Sequence, residues 1–311
     1  MKVNRICSSF LWKNNDQGAR GARVSWDDVC YPKSEGGLGL KNLSSWNKAC
    51  ILQNIWSIIM KAGSLWIAWI NEYILKGRSI WQISYSQTHS WNWRKILQLR
   101  NIAQRFVENR DGVEIWKCLG RKYSAAAVWQ EIRLKKEKKD WHRVLWASPS
   151  IPKHVLITWM AILNRLPTMD RLEAWGMEVV ALCRLCHTER ESRDHLFFCC
   201  SYSMSIWKEV LKLCSLGRTI GSWSEELRWV SIKLKGKALI SIVLRIAWKA
   251  VIYHIWRERN MRIYGEIPES ATKLIHYVKD AVKFKVGSFV NIADDSINNS
   301  LCKNWGIFVP V

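Results

Sequence analysis

The stretch CRLCHTERESRDHLFFCC, residues 183–200, holds four cysteines and two histidines in a chain with ten cysteines in all. Cys183 and Cys186 stand in C-x2-C spacing. One tight turn can then aim both sulfurs at a single point, as tetrahedral zinc requires. His195 comes next, followed by the neighbours Cys199 and Cys200. A helix or turn starting near Asp194 brings His195 and either Cys199 or Cys200 to the same side. Three thiolates and one imidazole fill the coordination shell and leave no open position, which describes a structural site rather than a catalytic one. The competing readings are a redox pair at C-x2-C and ordinary buried thiols. Cys7, Cys30, Cys50, Cys118, Cys214 and Cys302 are scattered and read as small core residues.

The elements that must hold these ligands are mostly helical by their apolar period. Residues 1–45 read as loop, with one short strand-like run over 24–29. A helix follows from Ser45, with Ser44 or Ser45 as its N-cap. Further helices are expected over 64–75, stopped by Gly77, and near 91–106. Residues 113–124 alternate weakly and suggest a hairpin. Helices are then expected at about 124–134, 138–146, 151–164 and 168–175, separated by Pro149, Pro152 and Pro167, with Thr168 as a cap. From Asp194 one helix can run to Leu213. The last third adds helices over 224–234, 237–265 and 270–290. The tail of the second, HIWRERNMRIYG, is basic and amphipathic. It is either a solvated helix end with cations near the dipole's C-terminus or a phosphate-contacting surface. The expected fold class is mainly α: an irregular helical array with short β-hairpin elements and one zinc knuckle. Three parts are expected, residues 1–110, 111–215 and 216–311.

Composition narrows the function classes. Apolar residues make up 49% and charged ones 24%, so the chain should fold. Its 21 Trp require many indoles at half-exposed edges, where the N–H finds a partner. Lys plus Arg total 48 against 26 Asp plus Glu, a formal net charge of +22. Such an excess attracts polyanions, nucleic acid above all. The first residues turn polar within a dozen positions, so no secretory signal is expected. The longest apolar run, 238–256, carries Arg245 and Lys249, so no membrane span is expected. The cysteines are then expected as reduced thiols in an intracellular setting, nuclear or cytoplasmic.

The cluster and its flanks resemble a known family. IPKHVLITWMAILNRLPTMDRL (151–172), followed by the cysteine cluster, is similar to the zinc-binding domain that follows the reverse transcriptase in plant LINE-type (non-LTR) retrotransposons. YSAAAVWQEI (123–132) resembles the start of the same domain. FLWKN…ARVSWDDVCYPKSEGGLGLKNLSSWNKACILQNIWSI (10–58) looks like the segment joining polymerase and zinc domain, and IWRERNMRIYG (255–265) and LCKNWGI (301–307) look like the family's C-terminal end. The resemblance implies zinc ligands at Cys183, Cys186, His195 and Cys200, because the family's HLFF-x-C spacing selects Cys200 over Cys199. Two departures stand out: His187 replaces the frequent Gly after the second Cys, and Ser201 replaces the frequent Pro after the last. His187 and Cys199 are then spare ligands.

The resemblance further implies a non-catalytic C-terminal part of a reverse transcriptase polyprotein, with structural Zn2+ and RNA or DNA as partner. Lys153, Arg165, Arg171, Arg184 and Arg193, cations close to the cluster in sequence, are the candidate phosphate contacts. The alternative is a structural or protein-interaction module that docks to a polymerase domain. A small-molecule substrate is not expected. Polymerase chemistry needs carboxylates that hold two metal ions. IADDS (292–296) imitates that signature but lacks flanking apolar strands, so Asp294 and Asp295 read as a surface loop. Asp27 and Asp28, adjacent in an expected strand, point to opposite faces and do not form a pair.

Overall fold

The protein's architecture comes from a computed structural model that describes residues 2–13, 23–110, 113–117, 123–287 and 292–307. Cys118, residues 14–22 of the expected loop and the 288–290 end of the expected last helix lie outside the described residues. Helices dominate, and one two-stranded hairpin is the only sheet among the described residues. The chain forms two compact units: Met1–Pro32 with Gly37–Lys136, and Lys33–Gly36 with Glu137–Val311.

The first unit opens with α1 (Lys2–Lys13) and α2 (Trp26–Cys30). Both correct the expectation of loop and strand over residues 1–45. Val3, Ile6 and Phe10 recur at helical spacing in α1. In α2, Ser25 caps the helix by accepting from the Asp28 amide, and Asp27 and Asp28 lie in its first turn, where negative charge suits the dipole. The backbone then turns sharply. A Cβ on Gly37 would sit 2.0 Å from the Tyr31 carbonyl oxygen, so only glycine fits. Helix α3 (Leu43–Ile59) starts earlier than expected, because Asn42 accepts from the amides of Ser44 and Ser45. Its Ala49, Leu52 and Ile55 are fully buried. Helix α4 (Leu65–Trp69), capped by Ser64, runs into a π-helical stretch, Ile70–Leu75, which ends at Lys76 and Gly77 in left-handed conformations. Helices α5 (Trp91–Gln98) and α6 (Arg100–Ala103) follow. The Arg100 guanidinium donates to the carbonyls of Ile80, Trp81 and Ile83 and pins that segment.

Strand β1 (Val107–Arg110) pairs antiparallel with β2 (Val113–Trp116), Val107 opposite Trp116. The hairpin therefore begins before the expected 113–124, with Asp111-Gly112, a strong hairpin dipeptide, between its strands in sequence. Helix α7 (Ala125–Ile132) closes the unit against α3: the Tyr123 hydroxyl donates to the Ala49 carbonyl and the Trp129 indole to Ser45 Oγ.

The second unit holds α8 (His142–Leu145), α9 (Pro152–Ile162), α10 (Met169–Ala174), α11 (Ser201–Leu213), α12 (Trp223–Lys233), α13 (Leu239–Ile263), α14 (Ala271–Val286) and α15 (Ser296–Trp305). The expected helix at 138–146 shrinks to the four residues of α8, and α15 is an addition to the expected set. Helix α13 is the axis, with α9 and α14 packed along it. By length and composition it could cross a membrane, yet 78% of its most apolar stretch is buried inside this fold, as befits a core helix. Its two interior cations are treated differently. Arg245 donates to the carbonyls of Leu234 and Gly236, whereas Lys249 Nζ, on a side chain only 1% exposed, has no hydrogen-bond partner.

Candidate metal centre

The knuckle is built by backbone hydrogen bonds over residues 181–191. Leu182 and Arg190 form an isolated antiparallel bridge. The Cys183 amide donates to the Glu189 carbonyl at 2.8 Å, and the Glu191 amide to Ala181 at 2.8 Å. The turn between the two cysteines closes when the His187 amide donates to the Cys183 carbonyl at 2.9 Å. His187 stands at φ +59, a left-handed conformation in which His is enriched over most other residues. The His replaces the family's Gly without unmaking the turn.

The chain does not continue as one helix from Asp194, as its apolar period suggested. His195–Cys199 forms a π-helical turn, Cys200 is extended (φ −65, ψ 131), and α11 starts after it. The wider turn and the break place His195 and Cys200 on the same side as the C-x2-C pair. Cys200 is fully buried, while Cys199 is exposed and lies outside the converging set.

The ligand atoms of Cys183, Cys186, His195 and Cys200 all lie within 4.8 Å of one another. Cys183 Sγ and Cys200 Sγ are 4.0 Å apart, and Cys186 Sγ and His195 Nε2 are 3.3 Å apart. A zinc tetrahedron has edges of about 3.8 Å between sulfurs and about 3.5 Å between sulfur and nitrogen, given its usual bond lengths. The four side chains therefore fit zinc. The Cys183 thiol donates to Cys200, which drives the Cys200 pKa down to about 5 and that of Cys183 up. The amides of Tyr202 and Ser203 at the start of α11 also favour the Cys200 thiolate. A thiolate poised at a helix N-terminus is the form a metal binds.

Long-range contacts brace the knuckle. Glu191 is fully buried. It accepts from Arg259 Nε at 3.0 Å and from Arg259 Nη2 at 2.6 Å, and the Met169 amide donates to it at 2.9 Å. One carboxylate thus ties the knuckle to α13 and α10. Arg262, one turn on, pairs with Glu258 and donates to the carbonyls of Arg184 and Leu185. The basic tail of α13 is therefore neither a free helix end nor an open phosphate surface at these two positions: Arg259 and Arg262 are committed to the knuckle. The spacing of the ligands gives no hint of these residues. Behind the ligands, Phe197 and Phe198 pack on Trp223 and are fully buried.

The candidate phosphate contacts are placed unequally. Lys153 and Arg165 are exposed. Arg171 is half-buried, 5.1 Å from the Trp175 ring centre. Arg193 pairs with Asp194 and lies over Trp223. Arg184 is half-buried, and its Nε has no hydrogen-bond partner. The aspartate pairs serve structure. Asp295 caps α15 by accepting from the Asn298 amide, and Asp294 accepts from Asn299. Asp27 accepts from Asn42, and Asp28 pairs with Lys136.

Residues 123–207 match the family described as zinc-binding in reverse transcriptase. The chain thus carries a reverse-transcriptase-type zinc-binding segment. Two proteins of Arabidopsis thaliana are similar to parts of it. One, which bears the name of a putative ribonuclease H protein, is 31% identical over 113 residues, or 34% of this chain and 18% of that protein. The other, an uncharacterized mitochondrial protein, is 24% identical over 105 residues, or 33% of this chain and 68% of that protein. This chain therefore spans less than a fifth of the first relative. No solved structure matches it significantly.

Proposed function

We propose that the chain is a non-catalytic part of a LINE-type retrotransposon reverse transcriptase polyprotein, in which Cys183, Cys186, His195 and Cys200 hold a structural zinc and the surrounding basic body binds RNA or DNA. The observation that carries this reading is the convergence of the four ligand atoms inside the segment that matches the family. The zinc supplies stability, since a closed four-ligand shell leaves no site for substrate. The charge of +22 supplies the attraction to phosphate. Reduced thiolates suit a nuclear or cytoplasmic setting.

Atomic emission on the purified chain should find one zinc per molecule, lost in His195→Ala. Filter binding should show RNA or DNA affinity that falls steeply with salt. A chain that binds no zinc, or whose affinity is no stronger than millimolar at low salt, ends this reading. One observation favours a second reading, docking to a polymerase domain. Arg171 and Arg193 are partly consumed by contacts inside the fold, which leaves fewer free cations at the knuckle. Co-purification with a polymerase domain in the absence of RNA binding would select it.

A further inference from the structure

Three helices of the first unit enclose a groove of about 390 Å³. Its floor is apolar: Ile51 of α3 and Ile96 of α5. Its walls are two indoles left in water, Trp66 of α4 at 41% exposure and Trp91 of α5 at 60%. Its rim carries the amides of Asn47, Asn54 and Asn92. None of these makes a side-chain hydrogen bond among the described residues. Lys95 Nζ stands 5.8 Å from the Trp91 ring centre. Beyond Trp66 the same stretch continues outward with Trp69 and Tyr73, both exposed, their rings stacked at 6.0 Å. Residues 43–106 contain eight Lys or Arg and a single acid, Glu72.

Flat aromatic faces, uncommitted amides and a nearly acid-free basic neighbourhood have one natural partner in common. An unpaired nucleobase offers a ring to stack and edges to hydrogen-bond, and it carries a phosphate that draws cations. We propose that this groove is a stacking site for unpaired bases of a single-stranded polynucleotide, with Trp66 and Trp91 as the platforms, the three amides reading base edges, and Lys95 on the backbone phosphate. Bases within a duplex are stacked on one another and do not reach the indoles. The groove lies outside the segment matched to the zinc family. The proposal deepens the nucleic-acid part of the functional reading and does not depend on zinc.

The test is fluorescence anisotropy of the full chain with labelled oligothymidylate and oligouridylate of about 15 nucleotides. Trp66→Ala and Trp91→Ala should each weaken both complexes about tenfold. The slope of log affinity against log salt should stay as it was, because no cation is removed. Trp91→Phe, which keeps a ring, should stay within about twofold of the natural chain. Lys95→Gln should flatten the salt slope by about 0.7. Unchanged affinity in both Ala variants overturns the proposal. So does an equal loss on duplex DNA, or a Trp91→Phe chain of native circular dichroism that binds as poorly as Trp91→Ala. Cys183→Ser separates this proposal from the zinc reading: in that background the loss of affinity caused by Trp91→Ala should persist even if zinc is gone.

Discussion

Cys183 and Cys200 face each other at 4.0 Å, the Cys183 thiol donating to the Cys200 sulfur, and losing either should have local and steep consequences. Cys183→Ser or His195→Ala should abolish bound zinc and melt the knuckle. Zinc binding by small finger peptides is worth about 10–16 kcal/mol of apparent free energy. Here the neighbouring helices share the structural load, so the loss should be partial, seen as a lower melting temperature and not as a random coil. Arg259→Leu should be nearly as damaging by another route. It strands the fully buried Glu191 carboxylate, at a cost of about 3–5 kcal/mol, and Glu191→Leu added to it should recover much of that. Urea denaturation of the two variants checks both halves. The contrast explains what sequence discloses at this scale. A metal demands its ligands in short, recognisable intervals, so four of them are visible in eighteen residues. The Glu191–Arg259 pair spans 68 positions with no rule linking them, and only the folded chain joins them.

At the scale of elements, α13 carries a testable liability. His154 of α9 is pushed down to about 3, mainly by burial, with His254, Lys153 and Lys249 adding repulsion, and His254 of α13 is pushed down to about 4 by burial, with Arg257 and Lys153 adding to it and Glu269 opposing it. Lys249 falls to about 7 by burial, with Arg245 adding to it. For the histidines, the unfolded chain takes up protons below about 6.5 while the folded chain resists until about 4, so stability falls as pH drops through that window. For Lys249 the penalty grows as pH falls from about 10.4 to 7. Lys249→Met should therefore stabilise the protein by about 1–3 kcal/mol at pH 7, and the gain should shrink toward pH 10, read by thermal melts across pH. In the first unit, Gly37→Ala should cost about 2–4 kcal/mol, since its methyl meets the Tyr31 backbone. Helices α3, α7, α9 and α11 to α14 were legible because their apolar period is long. What escaped was decided by single caps or breaks. Ser25 turned an expected strand into α2, and the extended Cys200 split an expected helix in two. The short α8 is bounded by packing more than by pattern.

For the whole molecule, charge and burial point in different directions. The +22 net charge predicts an affinity for polynucleotide that declines linearly on a log–log salt plot, measured from low to physiological salt. Thirteen of the 21 Trp keep some exposure, so a core rich in indoles still leaves many rings at the surface, as composition required. Zinc removal by a chelator should raise amide exchange over residues 169–213 and leave 43–132 at native protection. The bracing of the knuckle by α13 has a practical corollary for anyone who trims the gene. A peptide cut at the family boundaries, 123 and 207, would keep every metal ligand but discard the guanidinium that answers Glu191, leaving an unmatched negative charge in its interior and two carbonyls of the cysteine turn without their donor. A piece that keeps this bracing must reach Arg262, near the far end of α13 and well beyond residue 207, where the family match ends.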